Sequence, residues 1–222
     1  MKYVVSIIGA KRAGKSTAAK IIEDIVDNSF EVALADKLKV ELSLAYDLDI
    51  IHFYSQDLKE LPFIYPLKTT LDKLCHMIES FAPEDSEPPK NISYYALLEL
   101  ASIEMRTPRD LMQHWGMFLR AIYGANVHCD HLELPSNFTI VSDVRFVNEF
   151  NYIDKLEGVV HIPIYIENKD AEAKADLDGH ISEKEYKKLK KKCIRIDNNE
   201  KNLYNLSKSL HDLLGSILND WL

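Results

Sequence analysis

The stretch Tyr3-Val4-Val5-Ser6-Ile7-Ile8-Gly9-Ala10-Lys11-Arg12-Ala13-Gly14-Lys15-Ser16-Thr17 decides the fold. Tyr3 to Ile8 is a short apolar, β-branched run without strict alternation, which is how a strand covered on both faces reads, so it is expected at the centre of a sheet. Small residues and glycines follow from Gly9 to Gly14. Thr17 to Val26 (TAAKIIEDIV) then places Ala18, Ile21, Ile22 and Ile25 at helical spacing. The order is strand, glycine loop, helix. Residues Gly9 to Ser16 also fit the pattern GxxxxGKS/T in the context that pattern requires. The glycines let backbone N–H groups curl around phosphate oxygens at a helix N-terminus, Lys15 reaches the β and γ phosphates, and the Ser16 hydroxyl can ligate Mg²⁺. Gly9, Lys11, Arg12, Ala13, Gly14, Lys15, Ser16 and Thr17 are therefore the expected ATP contacts. The plain alternative is a glycine turn with a capping serine. Phosphoryl transfer or nucleoside triphosphate hydrolysis is the leading class.

Outward from this motif, four more strands are expected: Glu31 to Ala35, Phe138 to Ser142, Val159 to Ile166 and Cys193 to Ile196. Helical patterns cover Val147 to Leu156 and Asn202 to Leu218, and such alternation reads as an α/β parallel sheet with helices on both faces. Two segments interrupt it. Residues from about 37 to 135 are too long for one crossover and carry helical patterns at Leu38 to Tyr46, Thr69 to Phe81 and Tyr94 to Met105. This is a helical insertion, broken by the acidic Pro83 to Pro89. Residues from about 167 to 190 are polar and lysine-rich, and read as a mobile flap more than as a core element. The chain, 1–222, is expected to be one domain carrying both.

At 222 residues, 46% hydrophobic and 28% charged, the composition is that of a globular protein and excludes a disordered or fibrous one. The formal charge of −8 argues against a general affinity for nucleic acid or anionic membranes. No apolar run approaches a membrane span, and the N-terminal run has no cleavage-site pattern behind it, so an unexported, cytoplasmic protein is expected. Cys75, Cys129 and Cys193 are too far apart and too few for a disulfide framework or zinc site, and read as packing thiols.

Asp143-Val144-Arg145 follows the Phe138 to Ser142 strand, at the sheet edge where ligands of such folds bind. Asp143 could hold the water shell of a metal or orient an acceptor oxygen, and Arg145 could neutralise charge on a transferring group. A surface pair capping the next helix is the alternative. Asn148 and Glu149 are explained equally well by a helix-start network.

Five segments taken together resemble the bacteriophage deoxynucleoside monophosphate kinases: GAKRAGKST, LADKLK (Leu34 to Lys39), TPRDLMQHWGMFLR (Thr107 to Arg120), SDVRFVNE (Ser142 to Glu149) and DGHISE (Asp178 to Glu183). The resemblance implies an adenylate-kinase-like P-loop fold with a core, an acceptor-binding insertion and a lid. It implies ATP as donor, Mg²⁺, catalytic roles for Lys15, Asp143 and Arg145, and metal contacts at Ser16 and, through water, Asp143. It places Lys39, Lys59, Arg109, Gln113, Gly116 and Arg120 around the acceptor nucleotide, and His180 and Glu183 in the lid. Small-molecule nucleotides are then the partners, with no nucleic acid or membrane, for a monomer or homodimer in the cytoplasm, the host's if the protein is phage-encoded. The chemistry of the residues agrees, since Lys and Arg suit a monophosphate and a Gln amide can bond a base edge. Met112, Trp115, Phe118 and Leu119 equally make Arg109 to Tyr123 an amphipathic helix whose Arg and Gln form its wet face. Gly116 within that helix suggests the close approach of a ligand or neighbouring helix. Ser182 and Glu185 can form a capping box, and Lys184 to Lys192 a solvated helix face.

The chain departs from the family's pattern at Gln56, where an arginine is expected, and at Glu167-Asn168, where Arg-Pro is expected. No arginine lies between residues 146 and 194, so cationic lid contacts would fall to lysines such as Lys169, Lys174 or Lys184. Two rival readings remain: another small-molecule P-loop kinase, of the dephospho-coenzyme A or phosphomevalonate type, and a nucleotide-binding ATPase or switch.

Overall fold

Val4, Val5, Ile7 and Ile8 have no exposed surface, and this follows from where their strand sits. In the computed structural model, which describes residues 1–64, 67–83, 107–178, 185–200 and 202–219, β1 (Lys2–Ile8) is the central strand of a wholly parallel five-stranded sheet. The others are β2 (Ser29–Val32), β3 (Phe138–Val141), β4 (Val159–Glu167) and β5 (Ile194–Asp197), in the order β2-β3-β1-β4-β5. Val5 is level with Ile140 on one side and Ile162 on the other. Each buried Val or Ile contributes about 1.5–3 kcal/mol, so this strand needs no alternation.

The chain forms two compact units, Met1–Leu34 with Leu132–Leu222, and Ala35–His131. In the first, β1 leads through α1 (Lys15–Ile25) past β3 to β2, whereas β3 leads through α6 (Val147–Asp154) past β1 to β4. With the right-handed crossovers that parallel strands adopt, the two helices lie on opposite faces. The two connections diverge at the carboxyl ends of β1 and β3, and such a switch point is the ligand crevice of an open α/β sheet. The loops after these two strands carry Gly9 to Ser16 and Asp143 to Arg145. The helix α8 (Leu203–Asn219) packs on α1 and buries Leu206, Leu210 and Leu214, one residue per turn.

One expectation about this unit is corrected. β2 ends at Val32, not Ala35, because the Leu34 N–H donates to Asp143 Oδ1 at 2.7 Å instead of continuing the ladder with β3. The segment expected as a lid, residues 167–190, carries buried residues at its two ends. After β4, α7 (Lys169–Asp178) buries Ala171 and Ala175, and a 3₁₀ segment, Tyr186–Lys192, buries Tyr186 and Leu189 completely. Tyr186 stacks on Tyr165, and Lys190 pairs with Glu167 at 2.5 Å. Burial pulls Lys190 down, but Glu167 and Glu172 beside it outweigh this and hold its pKa above the usual lysine value. The lysine run is thus anchored every third residue, as the 3₁₀ period dictates, rather than a wholly solvated face.

The second unit is helical: α2 (Asp36–Tyr46), α3 (Ile51–Tyr54), a 3₁₀ turn at Leu58–Glu60, α4 (Leu71–Glu79) and α5 (Pro108–Tyr123). The helix expected at Tyr94 to Met105 lies outside the described residues. Thr107 caps α5 by accepting from the Asp110 N–H while Asp110 accepts from the Thr107 N–H, with Pro108 inside the first turn. Leu111, Trp115 and Leu119 then face a core shared with Leu38, Leu42, Leu74, Met77 and Phe81. Trp115 Nε1 donates to the Tyr46 hydroxyl at 2.8 Å, and burial raises that phenol to about 12 although the bond itself favours the phenolate.

His128, 5% exposed, is also buried here, donating from Nε2 to the Gly116 carbonyl with no partner at Nδ1 among the described residues. Burial first, and then the nearby Arg120 charge, push its pKa down to about 4. The unfolded chain therefore binds a proton between about pH 6.5 and pH 4 that the folded chain refuses. The stability this histidine permits is complete above the unfolded pKa and falls as the pH drops through that window, by on the order of 3 kcal/mol. Urea midpoints at pH 7 and pH 5 should differ less in His128→Gln than in the natural protein; an equal difference would place the acid sensitivity elsewhere.

Among the described residues no helix is long and apolar enough to cross a membrane, and all three cysteines are free.

Candidate functional site

The site is built on the turn between β1 and α1, where the chain reverses within six residues. Gly9 has φ +152°, Arg12 φ +66° and Gly14 φ +104°, so the left-handed half of conformational space is used three times. A Cβ on Gly9 would lie 2.7 Å from the Ile166 carbonyl oxygen, and one on Gly14 would lie 2.5 Å from Asn198 Nδ2. Both glycines are required by close neighbours as well as by φ. Gly14 is the N-cap of α1, which has no side-chain cap and no acidic residue in its first turn. That end of the helix offers its N–H groups and the positive end of its dipole to an anion. Lys15 Nζ lies across the loop, donating to the carbonyls of Gly9 at 2.9 Å and Ala10 at 2.7 Å. Ser16 and Thr17 are exposed in the first turn, as is Arg12, while Lys11 is half-buried and Ala13 buried.

The segment Asp143 to Arg145 leaves the neighbouring strand. Asp143 is half-buried and fixed by the Leu34 N–H. Glu149, 3% exposed, reaches back from the first turn of α6 to accept from the N–H groups of Arg145 at 2.7 Å and Phe146 at 3.0 Å. Glu149 thus caps α6, and the Asp143–Arg145 segment is held at both ends, by Asp143 on the Leu34 N–H and by Glu149 on the Arg145 N–H. Ser16 and Asp143 supply one hydroxyl and one carboxylate oxygen, hard donors of the kind Mg²⁺ takes when phosphates and waters complete its shell. Among the described residues no group of three His, Cys, Asp or Glu is placed to hold a metal by itself.

A second polar arrangement joins β1 and β4. Ser6 Oγ lies 2.8 Å from His161 Nε2, and His161 Nδ1 lies 3.2 Å from Asp154 Oδ1. This is the order of a hydrolytic Ser-His-Asp triad, but Ser6 is 0% exposed, so no substrate carbonyl can reach it. It is a tie between neighbouring strands.

No family model matches this chain, and no curated protein does.

The residues expected around an acceptor belong to the helical unit. Arg109, Gln113, Gly116 and Arg120 recur at steps of four, three and four, so they form one stripe along α5 beside the buried Leu111, Trp115 and Leu119. Arg109 Nε pairs with Glu60 Oε1 at 2.6 Å, and Arg120 donates to the Ala125 carbonyl at 2.6 Å. Lys39 pairs with Asp36 at 2.8 Å and stands 4.3 Å above the Tyr54 ring, and Lys59 is half-buried in the 3₁₀ turn. Arg109, Arg120 and Lys39 thus each hold a partner within the protein. Gly116 is covered by protein: a Cβ there would meet Leu38 at 3.4 Å and His128 at 3.6 Å. The close approach its glycine signals is therefore met by a neighbouring helix. His180, Glu183 and the Ser182 cap lie outside the described residues.

Sequence reading missed Asn168 and Asn198. Asn198 Nδ2 donates to the Ala13 carbonyl at 2.8 Å, and Asn168 Nδ2 donates to the Asn198 carbonyl at 2.7 Å. The one available signal was Asn168 itself, standing where the resemblance leads one to expect proline.

Proposed function

We propose that this protein is a P-loop kinase that moves the γ-phosphoryl group of ATP to a deoxynucleoside 5′-monophosphate, giving the diphosphate and ADP. The observation that carries this reading is the loop Gly9 to Ser16, its lysine lying across it, beside the Asp143–Arg145 segment at the carboxyl ends of two adjacent strands. An oxygen of the acceptor monophosphate forms the new bond to γ-phosphorus while the bond to the β–γ bridging oxygen breaks, and ADP leaves. The acceptor is already ionised near neutral pH, so no general base is required. Such transfer needs alignment, charge neutralisation and exclusion of water. Lys15 would exchange the Gly9 and Ala10 carbonyls for phosphate oxygens, Arg145 would offset charge on the transferring group, and Asp143 would orient the acceptor oxygen. Ser16 and Asp143 would hold Mg²⁺, whose charge offsets that of the phosphates. Lys39, Lys59, Arg109 and Arg120 are assigned to the acceptor phosphate and Gln113 to its base, on the resemblance and on the chemistry of these groups. A cytoplasmic enzyme acting on small nucleotides, as monomer or homodimer, goes with this reading.

A coupled ADP-release assay across all ribo- and deoxynucleoside monophosphates tests it. ADP should form with a deoxynucleotide acceptor and hardly at all without one. Equal release with no acceptor would favour an ATPase or switch, and activity confined to dephospho-coenzyme A or phosphomevalonate would favour the other kinase reading.

Gln113→Ala should raise the KM for the acceptor, or redistribute it among bases, with the KM for ATP unchanged. A base contact supplies uniform binding of about 1–3 kcal/mol rather than transition-state stabilisation. A matched loss for ATP would assign Gln113 to the other nucleotide.

A further inference from the structure

We propose that Asn198 is the positioning residue of the phosphate-binding loop: it grips the Ala13 carbonyl from behind and so turns the Gly14 N–H toward the bound phosphate. This rests on the reading of Gly9 to Thr17 as a nucleotide site. A carbonyl oxygen can only accept, so the 2.8 Å contact from Asn198 to Ala13 fixes which end of the amide faces the loop. The Asn198 backbone is itself held at both polar groups. Its N–H donates to the Glu167 carbonyl at 2.8 Å, and its carbonyl accepts from Asn168 Nδ2 at 2.7 Å. Asn168, 1% exposed, is in turn fixed because its Oδ1 accepts from the Ala171 N–H at 2.9 Å at the start of α7. A flip of either amide would set its oxygen against a carbonyl oxygen, and for Asn168 would also turn its NH₂ against the Ala171 N–H.

The consequence for the loop follows from peptide geometry. The carbonyl and N–H of one trans peptide point in opposite directions, and no cis peptide is present among the described residues. A donor that holds the Ala13 oxygen on one side therefore aims the Gly14 N–H to the other. Gly14 lies so close that a Cβ would fall 2.5 Å from Asn198 Nδ2, which leaves this peptide no room to rock toward its brace. A loop whose donors are aimed before the anion arrives binds it without reorganisation.

The test compares Asn198→Ala and Asn198→Asp with the natural protein. Affinity for ATP with Mg²⁺ is measured by calorimetry, the Gly14 amide is followed in ¹⁵N–¹H spectra, and thermal midpoints are recorded. Asn198→Ala removes the donor without adding charge. Asn198→Asp keeps the volume, which serves if the cavity left by alanine prevents folding. The expected result is a loss of affinity of about tenfold or more in the folded variants, with the Gly14 resonance shifted before ATP is added and its response to ATP diminished. Resonances of β1 and β4 should stay in place. Natural-level affinity in a folded variant, or an unmoved Gly14 resonance, would overturn the proposal and leave the nucleotide site standing. Failure of the natural protein itself to bind ATP would remove the nucleotide site, and the proposal with it.

Discussion

Lys15→Ala is expected to abolish phosphoryl transfer, by about a thousandfold or more, in a protein that still folds. The ammonium is placed across the loop Gly9 to Ser16, held by the Gly9 and Ala10 carbonyls. On the proposed reading, charge growing on the β and γ phosphate oxygens during transfer would meet this group directly, and preorganised charge of that kind is where such enzymes obtain most of their rate. Stability should change far less. The lost contacts are hydrogen bonds from a half-buried group to two carbonyls, each worth about 0.5–1.5 kcal/mol net. Circular dichroism melting and the ADP-release assay on the same preparation separate the two effects. A folded variant keeping a tenth of the activity would reduce Lys15 to a brace for its own loop.

The largest expected effect on stability is at the other unit. Trp115→Ala should cost about 3–5 kcal/mol, a large share of the 5–15 kcal/mol that holds a typical domain together. Trp115 is 0% exposed, packs edge-on against Phe118 and donates to the Tyr46 hydroxyl. Truncation opens a cavity in the centre of the helical core and removes the donor to a phenol that burial has already pushed up to about 12. Urea unfolding followed by circular dichroism measures the loss, and Trp115→Phe should lie between the two. A cost under 1 kcal/mol would show that the helices around Trp115 close over the hole.

The parallel sheet and its central strand were legible because they rest on short, local signals. Tyr3 to Ile8 is apolar without alternation, and the glycine loop with its following helix has a fixed spacing. The cap at Glu149 was half legible, since a carboxylate three residues into a helix reads equally as network and as site. What escaped were single polar residues whose partners lie far off in the chain. Asn198 reaches Ala13 across 185 positions and Ser6 reaches His161 across 155, and no local pattern carries such a pairing. The end of β2 was misplaced for the same reason: the group that stops its ladder is Asp143, 109 residues on from Leu34. The burial of Ala171, Ala175, Tyr186 and Leu189 escaped because they are too sparse to form a stripe.

The central position of β1 also sets the order in which this protein can be made. Tyr3 pairs with Phe138 and Val160, so both partners of this central strand are synthesised at least 135 residues after it. At about 5–20 residues per second that is a wait of roughly 7 to 27 s during which β1 has no sheet to enter. Ala35 to His131 emerge in the interval, and the described helices among them share a core of their own. The nascent chain therefore carries a bare, aggregation-prone strand while its later-made part is already folding, and its yield in a cell should depend on whatever shields an apolar N-terminal segment during translation more than on the stability of the finished sheet.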